Sequence, residues 1–358
     1  MNKINPINLP EDNGPHDLIV EWWYFNGHLH DKSGKEYSFM DCFFKVNLFK
    51  VNIPHILPHK IEDHFKNGEY IHFAHSVISD ISNKKSYKEI QDISLISKDS
   101  FKKELLAINY KNGDFLENRL DSEIIETSPN NFELKTKHLD LNLESKKKPM
   151  LEGGHGYVGT PVTGSYYYSL TDLEVKGKIR IAEKEIRVTG KAWMDHQWAD
   201  ATYKKDKWTW FSFQLENGTE IMCVEYATLK GVDLLINTLD KNGNQKQYTK
   251  AKIKHSKKIW KSKKTKAKYP LSWEIEIPEA KMKIKTEAII KDQEMIFGQI
   301  NYWEGPMKVK AMMNGKKIKG KGFMELVGYP SDYNYLFLAS EEIEENFIKK
   351  IEKVFKKK

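Results

Sequence analysis

The sequence predicts an all-β protein built from two similar antiparallel β domains. Apolar and polar residues alternate in short segments along most of the chain, for example in 70–78 and 208–215, which is the two-residue period of a strand with one buried face. Turn signals such as Asn217-Gly218 separate these segments, as they do in β-hairpins. The third observation is an internal repeat, which also indicates that the chain has two domains.

The repeat relates a hairpin near the N-terminus to one in the middle of the chain. Its aligned pairs are Trp22 with Trp208, Tyr24 with Trp210, Phe25 with Phe211, and Leu29 with Leu215. Continued past the turn, the alignment matches Asp41 with Glu225. Because the two copies lie about half the chain apart, we predict two domains, residues 1–180 and 181–358.

Composition narrows the class of protein. Of the 358 residues 39% are hydrophobic, which is enough for packed cores, and the net charge is +8. Arginine occurs only at Arg119, Arg180 and Arg187, and because nucleic-acid and phosphate sites favour arginine, we predict no nucleic-acid partner. Cys42 and Cys223 do not make a disulfide framework, and the first ten residues lack the apolar region of a signal peptide. We therefore expect a cytoplasmic protein.

Residues 193–198, with the sequence WMDHQW, form the strongest candidate site. In a strand, the side chains at 194, 196 and 198 share one face and those at 193, 195 and 197 share the other. We predict that His196 and Asp195 are catalytic and that Trp198 and Trp193 bind substrate. The alternative is a core tryptophan cluster with a hydrogen-bonded His–Asp pair.

The repeated hairpins carry aromatic and polar faces. Trp22 and Tyr24 share a face of one hairpin, and Trp208 and Trp210 share the equivalent face of the other. Such a face suits a barrel lumen or an inter-domain cleft that binds substrate, with an exterior face under loops as the alternative.

Glu225 is the third predicted catalytic residue. It follows an apolar run, where desolvation would raise its pKa and allow it to donate a proton. A salt bridge to one of the many lysines is the alternative. Tyr167 and Tyr226 supply phenols to the predicted substrate site, although Tyr167 fits a core position equally well.

Two segments differ from the rest. Residues 250–268 hold ten lysines around Ile259 and Trp260 and suit an exposed loop or hairpin. From Ser340 the chain predicts a short helix, with acidic residues at its start, lysines at its end and an apolar stripe. That helix would pack on the second domain or touch a membrane.

Cofactor motifs are missing from the sequence. The run Gly153-Gly154-His155-Gly156 lacks both the spacing of a nucleotide loop and a following helix pattern, and no HExxH motif occurs. We predict neither an organic cofactor nor a metal ion.

Six strings resemble one family when taken in order. They are HD at 16–17 with EWWYFNGHL at 21–29, SYYYS at 165–169, GKAWMDHQW at 190–198, WTWFS at 208–212, YWEG at 302–305 and GFMELVGY at 322–329. They resemble the lipocalin-like carotenoid 1,2-hydratase family, which includes hydroxyneurosporene synthases, AttH-like proteins and fungal decalin-forming cyclases. The resemblance extends from about residue 16 to residue 330.

The resemblance implies two lipocalin-like barrels related by a pseudo-two-fold axis, with a hydrophobic pocket and no cofactor. His196 and Trp198 match the histidine and tryptophan implicated in hydration of a terminal isoprenoid double bond. By spacing, Cys223 and Glu225 match an aromatic residue and an acid, so Tyr226 would supply the phenol that Cys223 lacks.

We therefore expect a cofactor-independent hydratase that acts on a hydrophobic, isoprenoid-type small molecule. Glu225 or Asp195 would protonate the alkene, His196 would position or deprotonate water, and aromatic rings would stabilise the cation. A cyclase of the same fold and a lipid-binding protein without chemistry are the alternatives. Peripheral contact with a membrane is a further expectation, and the sequence leaves the oligomeric state open.

Overall fold

The computed structural model describes residues 4–47, 69–97, 107–109, 122–160, 164–200, 207–228, 231–297 and 300–329. Within these ranges the chain is almost entirely β-strand, apart from short 3-10 turns at Glu11–Asn13 and Glu152–Gly154. The predicted all-β class is therefore confirmed, whereas the helix predicted from Ser340 lies outside the described residues. No helix in the described ranges has the length and apolar character needed to span a bilayer.

The first sheet contains the strands up to Ala199. They are β1 Val20–His30, β2 Glu36–Val46, β3 Glu69–Asp80, β4 Lys85–Ser97, β5 Ala107–Asn109, β6 Glu123–Ser128, β7 Asn131–Lys135, β8 Leu139–Ser145, β9 Met150–Leu151, β10 Tyr157–Val158, β11 Ser165–Ile181 and β12 Lys184–Ala199. Their order is β4-β3-β2-β1-β12-β11-β8-β7-β6-β5, and β9 and β10 also pair with β11. All of these pairings are antiparallel.

The second sheet begins at Lys207. The later strands are β13 Lys207–Leu215, β14 Glu220–Thr228, β15 Gly231–Leu239, β16 Gln245–Tyr248, β17 Lys252–His255, β18 Ile259–Lys261, β19 Lys268–Pro270, β20 Ser272–Ile277, β21 Met282–Ala288, β22 Glu294–Phe297, β23 Ile300–Met313 and β24 Lys316–Val327. The sheet order is β16-β15-β14-β13-β24-β23-β21-β20-β17, with β22 on β23, while β18 and β19 form a separate hairpin.

The two sheets have the same topology. In each, a meander of four strands pairs through its first strand with a late strand, so that β1 to β4 correspond to β13 to β16 and β12 corresponds to β24. This correspondence confirms the internal repeat and the two lipocalin-like units. The boundary predicted at 180/181 falls instead within the β11–β12 hairpin. Because β12 pairs with β1, the chain leaves the first sheet only after Ala199.

One detail of the predicted repeat is corrected by the strand register. Asp41 lies opposite Phe25, and the equivalent Phe211 lies opposite Cys223 rather than Glu225. The turn between β1 and β2 is longer than the turn between β13 and β14, so an alignment continued through the turn becomes misplaced on the return strand. Asp41 therefore corresponds to Cys223.

Alternation of side chains produces two barrel cores and a third cluster. The inner face of the first sheet packs around Trp23 and that of the second around Phe211. The third cluster, here called the interface cluster, lies between the sheets. Its buried members are Tyr24, Met40, Cys42, Val77, Met150, Tyr167 and Trp193 from the first sheet, and Trp210, Met222, Leu239, Met295, Tyr302 and Phe323 from the second.

The repeated hairpin faces meet at this interface. His28 Nε2 donates to the Gly322 carbonyl oxygen at 3.1 Å, and the equivalent Gln214 donates through Nε2 to the Ala192 carbonyl oxygen at 3.0 Å. These reciprocal bonds attach β1 to β24 and β13 to β12. The aromatic and polar faces therefore line the junction between the two units.

Candidate active site at the interface of the two units

Strand β12 presents its two predicted catalytic residues to different environments. Trp193 and Asp195 face the interface cluster, whereas His196 and Trp198 point into the core of the first barrel. The environments differ because successive side chains of a regular strand point to opposite faces of the sheet. Asp195 and His196 are therefore neighbours in sequence that do not form a dyad.

Asp195 lies at the centre of a network of donors. Its carboxylate accepts from the Tyr167 hydroxyl at 2.7 Å, the Ser169 hydroxyl at 2.5 Å and the Trp193 indole at 2.6 Å. Burial raises the pKa of Asp195 to about 6, although these three hydrogen bonds act in the opposite direction. A carboxyl group with this pKa can both give and take a proton near neutral pH.

A second acidic centre lies on the other side of the interface. Glu304 and Glu325 are directly opposite one another on β23 and β24, and the carboxyl group of the buried Glu304 interacts with that of the half-buried Glu325. Burial raises the pKa of Glu325 to about 7, and burial together with the charge of Glu325 raises the pKa of Glu304 well above its ordinary value. The pair therefore holds at least one proton near neutral pH, as closely spaced carboxyl groups do.

Each carboxyl group of the pair also accepts a hydrogen bond from an aromatic side chain. Glu304 Oε1 accepts from the Tyr24 hydroxyl at 2.6 Å, and Glu325 Oε1 accepts from the Trp208 indole at 2.9 Å. Among the described residues, Glu304 Oε2 has no donor directed at it. A carboxyl oxygen without a donor is available to carry a proton of the pair.

The two acidic centres are related by the internal repeat. Asp195 is opposite Tyr24 on β1, and Glu325 is opposite the equivalent Trp210 on β13. Asp195 and Glu325 thus occupy corresponding positions. By the same register, Ser169 corresponds to Glu304. The repeat places an acid on each wall of the interface, and Glu304 adds a carboxyl group on the second sheet where the first sheet has Ser169.

Aromatic rings connect the two walls. Tyr24 and Trp210 pack edge to face with ring centroids 5.6 Å apart, and the Trp210 indole donates to the Tyr167 hydroxyl at 3.0 Å. His75 Nδ1 is 2.6 Å from the Tyr302 hydroxyl. Phenols, indoles and carboxyl groups therefore alternate across a largely apolar junction.

One end of the interface is less enclosed. Several side chains at that end pack against the interface cluster while remaining half-exposed, among them Trp22, Phe44, Trp208 and Val327. Cross-strand pairing joins Trp22 to Phe44 and Trp208 to Val327. These residues form an apolar rim at that end of the interface.

His196 belongs to a separate, enclosed network. Its Nε2 is 2.8 Å from Glu21 Oε1 and its Nδ1 is 3.2 Å from the Tyr168 hydroxyl. Glu21 also binds the buried Lys45 ammonium group and His16, and His16 stacks on Trp198 at 4.0 Å. Burial raises the pKa of Glu21, but Lys45 and the imidazoles outweigh this effect and hold the pKa below its ordinary value. Burial lowers the pKa of His196 to about 4.

This network contains three groups that could bind a metal ion. The ligand atoms of His16, Glu21 and His196 lie within 4.8 Å of one another. However, Glu21 Oε1 is only 2.8 Å from each imidazole nitrogen, whereas ligands around tetrahedral zinc are about 3.3 Å apart. The Lys45 ammonium group also contacts the same carboxylate. The contacts are those of a hydrogen-bonded charge network.

Glu225 and Tyr226 lie apart from the acidic centres. Glu225 is half-buried on the inner side of β14, the side of Cys223. Burial raises its pKa, while His255 and Lys207 act in the opposite direction. Tyr226 stacks on Trp208 at 5.9 Å near the apolar rim. The catalytic and substrate-binding roles predicted for these residues and for His196 and Trp198 remain predictions.

Comparison with known proteins places this architecture in a family. The profile of the AttH-like family matches residues 1–329. The chain belongs to the AttH-like family. The resemblance seen in the sequence motifs is thereby confirmed.

Three relatives illustrate the range of this AttH-like fold. A putative AttH from Nitrosomonas europaea superposes with a TM-score of 0.71 at 24% identity, covering 91% of this chain and 98% of that one. Kievitone hydratase from Nectria haematococca superposes with a TM-score of 0.70 at 13% identity, covering 93% and 95%. Dehydratase asqC from Emericella nidulans is 24% identical over 216 residues, which is 52% of this chain and 57% of that relative.

Four acidic residues of the AttH-like chain were not predicted as site residues. Glu21, Glu304 and Glu325 stood inside the family-like strings, and Glu152 did not. Glu152 is buried, and it accepts from the Asn237 amide at 2.5 Å, while its Oε1 lies 2.9 Å from the Ser169 Oγ that donates to Asp195. Burial and the charge of Asp195 raise the pKa of Glu152 well above its ordinary value. An acidic residue at a position where a strand otherwise has apolar residues was the sequence signal that could have identified these acids. The sequence does not show which of them lie opposite one another, because that depends on the register between strands.

Proposed function

We propose that this AttH-like chain is a cofactor-independent hydro-lyase that adds water to, or removes it from, a hydrophobic substrate bound between the two units. One observation carries the proposal: the buried Asp195, with a pKa of about 6, and the half-buried Glu325, with a pKa of about 7, lie on opposite walls of an aromatic interface. The names of two relatives, a hydratase and a dehydratase, support the same reaction class. An isoprenoid-type alkene is the substrate class that we propose.

The reaction needs two proton transfers. In the hydration direction, the protonated Glu304–Glu325 pair donates a proton to one alkene carbon, and a new C–H bond forms. Water attacks the other carbon and loses a proton to the Asp195 carboxylate. The product is an alcohol, and the reverse sequence dehydrates it. Each general acid or base contributes about 10²–10⁴-fold to the rate.

The aromatic wall supports the intermediate. Protonation of a trisubstituted alkene gives a tertiary cation, and a desolvated cation over an aromatic ring gains about 2 kcal/mol. Trp193 and Tyr167 donate to Asp195, and Trp210 donates to Tyr167, so the developing positive charge would lie between rings and a carboxylate.

Oxygen labelling tests the reaction class. The protein is incubated in H₂¹⁸O with an acyclic isoprenoid alkene that has a terminal trisubstituted double bond, and with the corresponding tertiary alcohol. We expect one labelled oxygen in the alcohol formed and enzyme-dependent loss of water from the alcohol. Cyclisation without labelled oxygen would indicate a cyclase, and unchanged bound ligand would indicate a binding protein. Either result would contradict the proposal.

Replacement of Glu325 by glutamine should alter the pH dependence of stability. The folded-state pKa of about 7 lies above the ordinary value of 4.5, so the folded state favours the protonated carboxyl group. The stability associated with protonation is complete below pH 4.5 and is lost as the pH rises through 7. At 1.36 kcal/mol per pKa unit this contribution is about 3 kcal/mol.

Urea unfolding at pH 4.5 and pH 7.5 measures this effect. Glu325→Gln should reduce the decline seen in the wild-type protein by about 3 kcal/mol, and the part that comes from Asp195, Glu152 and Glu304 should remain. The control Glu287→Gln, at an exposed position of β21, should leave it unchanged. An identical decline in wild type and Glu325→Gln would show that Glu325 ionises as an ordinary carboxyl group.

A further inference from the structure

One segment of the second unit has a high density of positive charge. Residues 250–268 contain ten lysines and no acidic residue. Without these ten, the 58 Lys and Arg residues fall to 48, against 50 Asp and Glu. This segment, here called the lysine patch, therefore accounts for the whole positive net charge of +8.

The lysines of the patch project into solvent. All ten are exposed, and none forms an ion pair with a described residue. Ile259, in the middle of the patch, is 44% exposed, and Trp260 beside it is half-buried. An exposed aliphatic side chain surrounded by unpaired lysines is the pattern of a surface that adsorbs to anionic lipid.

The β18–β19 hairpin within the patch is firmly held. Trp260 stacks on Tyr269 at 5.8 Å, and the Tyr269 hydroxyl donates to Glu294 at 2.8 Å. Ser262 and Thr265 also donate to the Glu294 carboxylate. The lysines are thus displayed on an ordered support.

The hairpin lies beside the apolar rim of the candidate active site. Tyr269 stacks on Tyr329 at 5.8 Å, and the Lys207 ammonium group lies 4.3 Å from the Tyr329 ring centroid. Lys207 immediately precedes Trp208, the rim residue that binds Glu325. A surface that contacts the lysine patch would therefore lie near the apolar rim.

We propose that the lysine patch docks the protein on an anionic phospholipid bilayer, with Ile259 entering the headgroup region. The occupant is a membrane rather than a nucleic acid because the patch has no arginine to bind phosphates in a bidentate manner and presents an aliphatic side chain at its centre. Docking would bring the apolar rim towards the phase in which hydrophobic substrates dissolve. The proposal does not depend on the reaction that the site performs.

Vesicle co-sedimentation of the full chain tests this proposal. Vesicles of phosphatidylcholine with one-third phosphatidylglycerol are compared with vesicles of phosphatidylcholine alone, at low and high salt. We expect binding to the anionic vesicles only, and weaker binding at high salt. The variant Lys257→Glu/Lys258→Glu/Lys261→Glu/Lys263→Glu should bind at least about tenfold more weakly, because each basic residue near the surface contributes to adsorption.

A matched control distinguishes the effect of the lysine patch from the effect of net charge alone. Lys32→Glu/Lys84→Glu/Lys148→Glu/Lys184→Glu makes the same change in net charge at exposed positions of the first unit, and its binding should stay within about twofold of wild type. Ile259→Asp should also weaken binding. Equal losses in the two lysine variants, equal binding to neutral vesicles, or tighter binding to duplex DNA than to anionic vesicles would each overturn the proposal. Unchanged circular dichroism shows that the variants fold.

Discussion

Asp195→Asn is expected to lower the rate of alkene hydration by about 10²–10⁴-fold. Asparagine has nearly the same shape, and its carbonyl oxygen can still accept from Trp193 or Ser169, but it cannot take the proton from the attacking water. The loss should appear in kcat, since the side chain acts on the reacting groups and contributes little to substrate affinity. The rate is followed by incorporation of ¹⁸O from labelled water.

The control for this prediction is Asp140→Asn. Asp140 is exposed on β8 of the same sheet, and its replacement should leave the rate unchanged. Thermal unfolding of both variants separates a loss of chemistry from a loss of structure. A fully active, folded Asp195→Asn protein would exclude Asp195 as the proton acceptor, whatever the reaction class.

The second large effect concerns stability and the enclosed network around Glu21. Glu21 and Lys45 are both 0% exposed and form an ion pair. Removal of one partner from a buried pair leaves an uncompensated charge, which costs about 3–5 kcal/mol. Glu21→Gln should therefore lower the free energy of unfolding by about this amount, measured by urea denaturation near neutral pH.

A double variant and a surface control make this prediction specific. Glu21→Leu combined with Lys45→Met removes both charges and should recover part of the loss. Glu274→Gln breaks a pair with Lys285 in which the side chains are 65% and 69% exposed, and it should cost less than about 1 kcal/mol. If Glu21→Gln and Glu274→Gln lowered the free energy of unfolding equally, breaking the buried pair would cost no more than breaking an exposed pair, which would contradict the prediction.

The predictions for residues 193–198 show where sequence reasoning succeeds. Strand alternation correctly separated Asp195 from His196, because the direction of a side chain in a strand depends only on local backbone geometry. What each face meets depends on the neighbouring strands. His196 meets Glu21 because β1 pairs with β12, and Asp195 meets Tyr167 because β11 does.

The acidic centre on the second sheet shows where such reasoning ends. Glu304 and Glu325 lie in separate family-like strings, and neither string indicates that the two residues are opposite one another. Their pairing depends on the register of β23 and β24. Their raised pKa values depend on burial between two units, which is a property of the assembled interface.

The amino-acid sequence is sufficient to predict the all-β class, the internal repeat and the aromatic and polar face of each repeated hairpin, because these follow from a two-residue period and from aligned residues. Three further features required the folded structure: the two faces meet, the chain crosses between sheets after Ala199, and Asp195 and Glu325 occupy equivalent positions on opposite walls. These features depend on strand pairing between distant segments. The desolvation that gives the acids their pKa values arises only when both units bury the same surface.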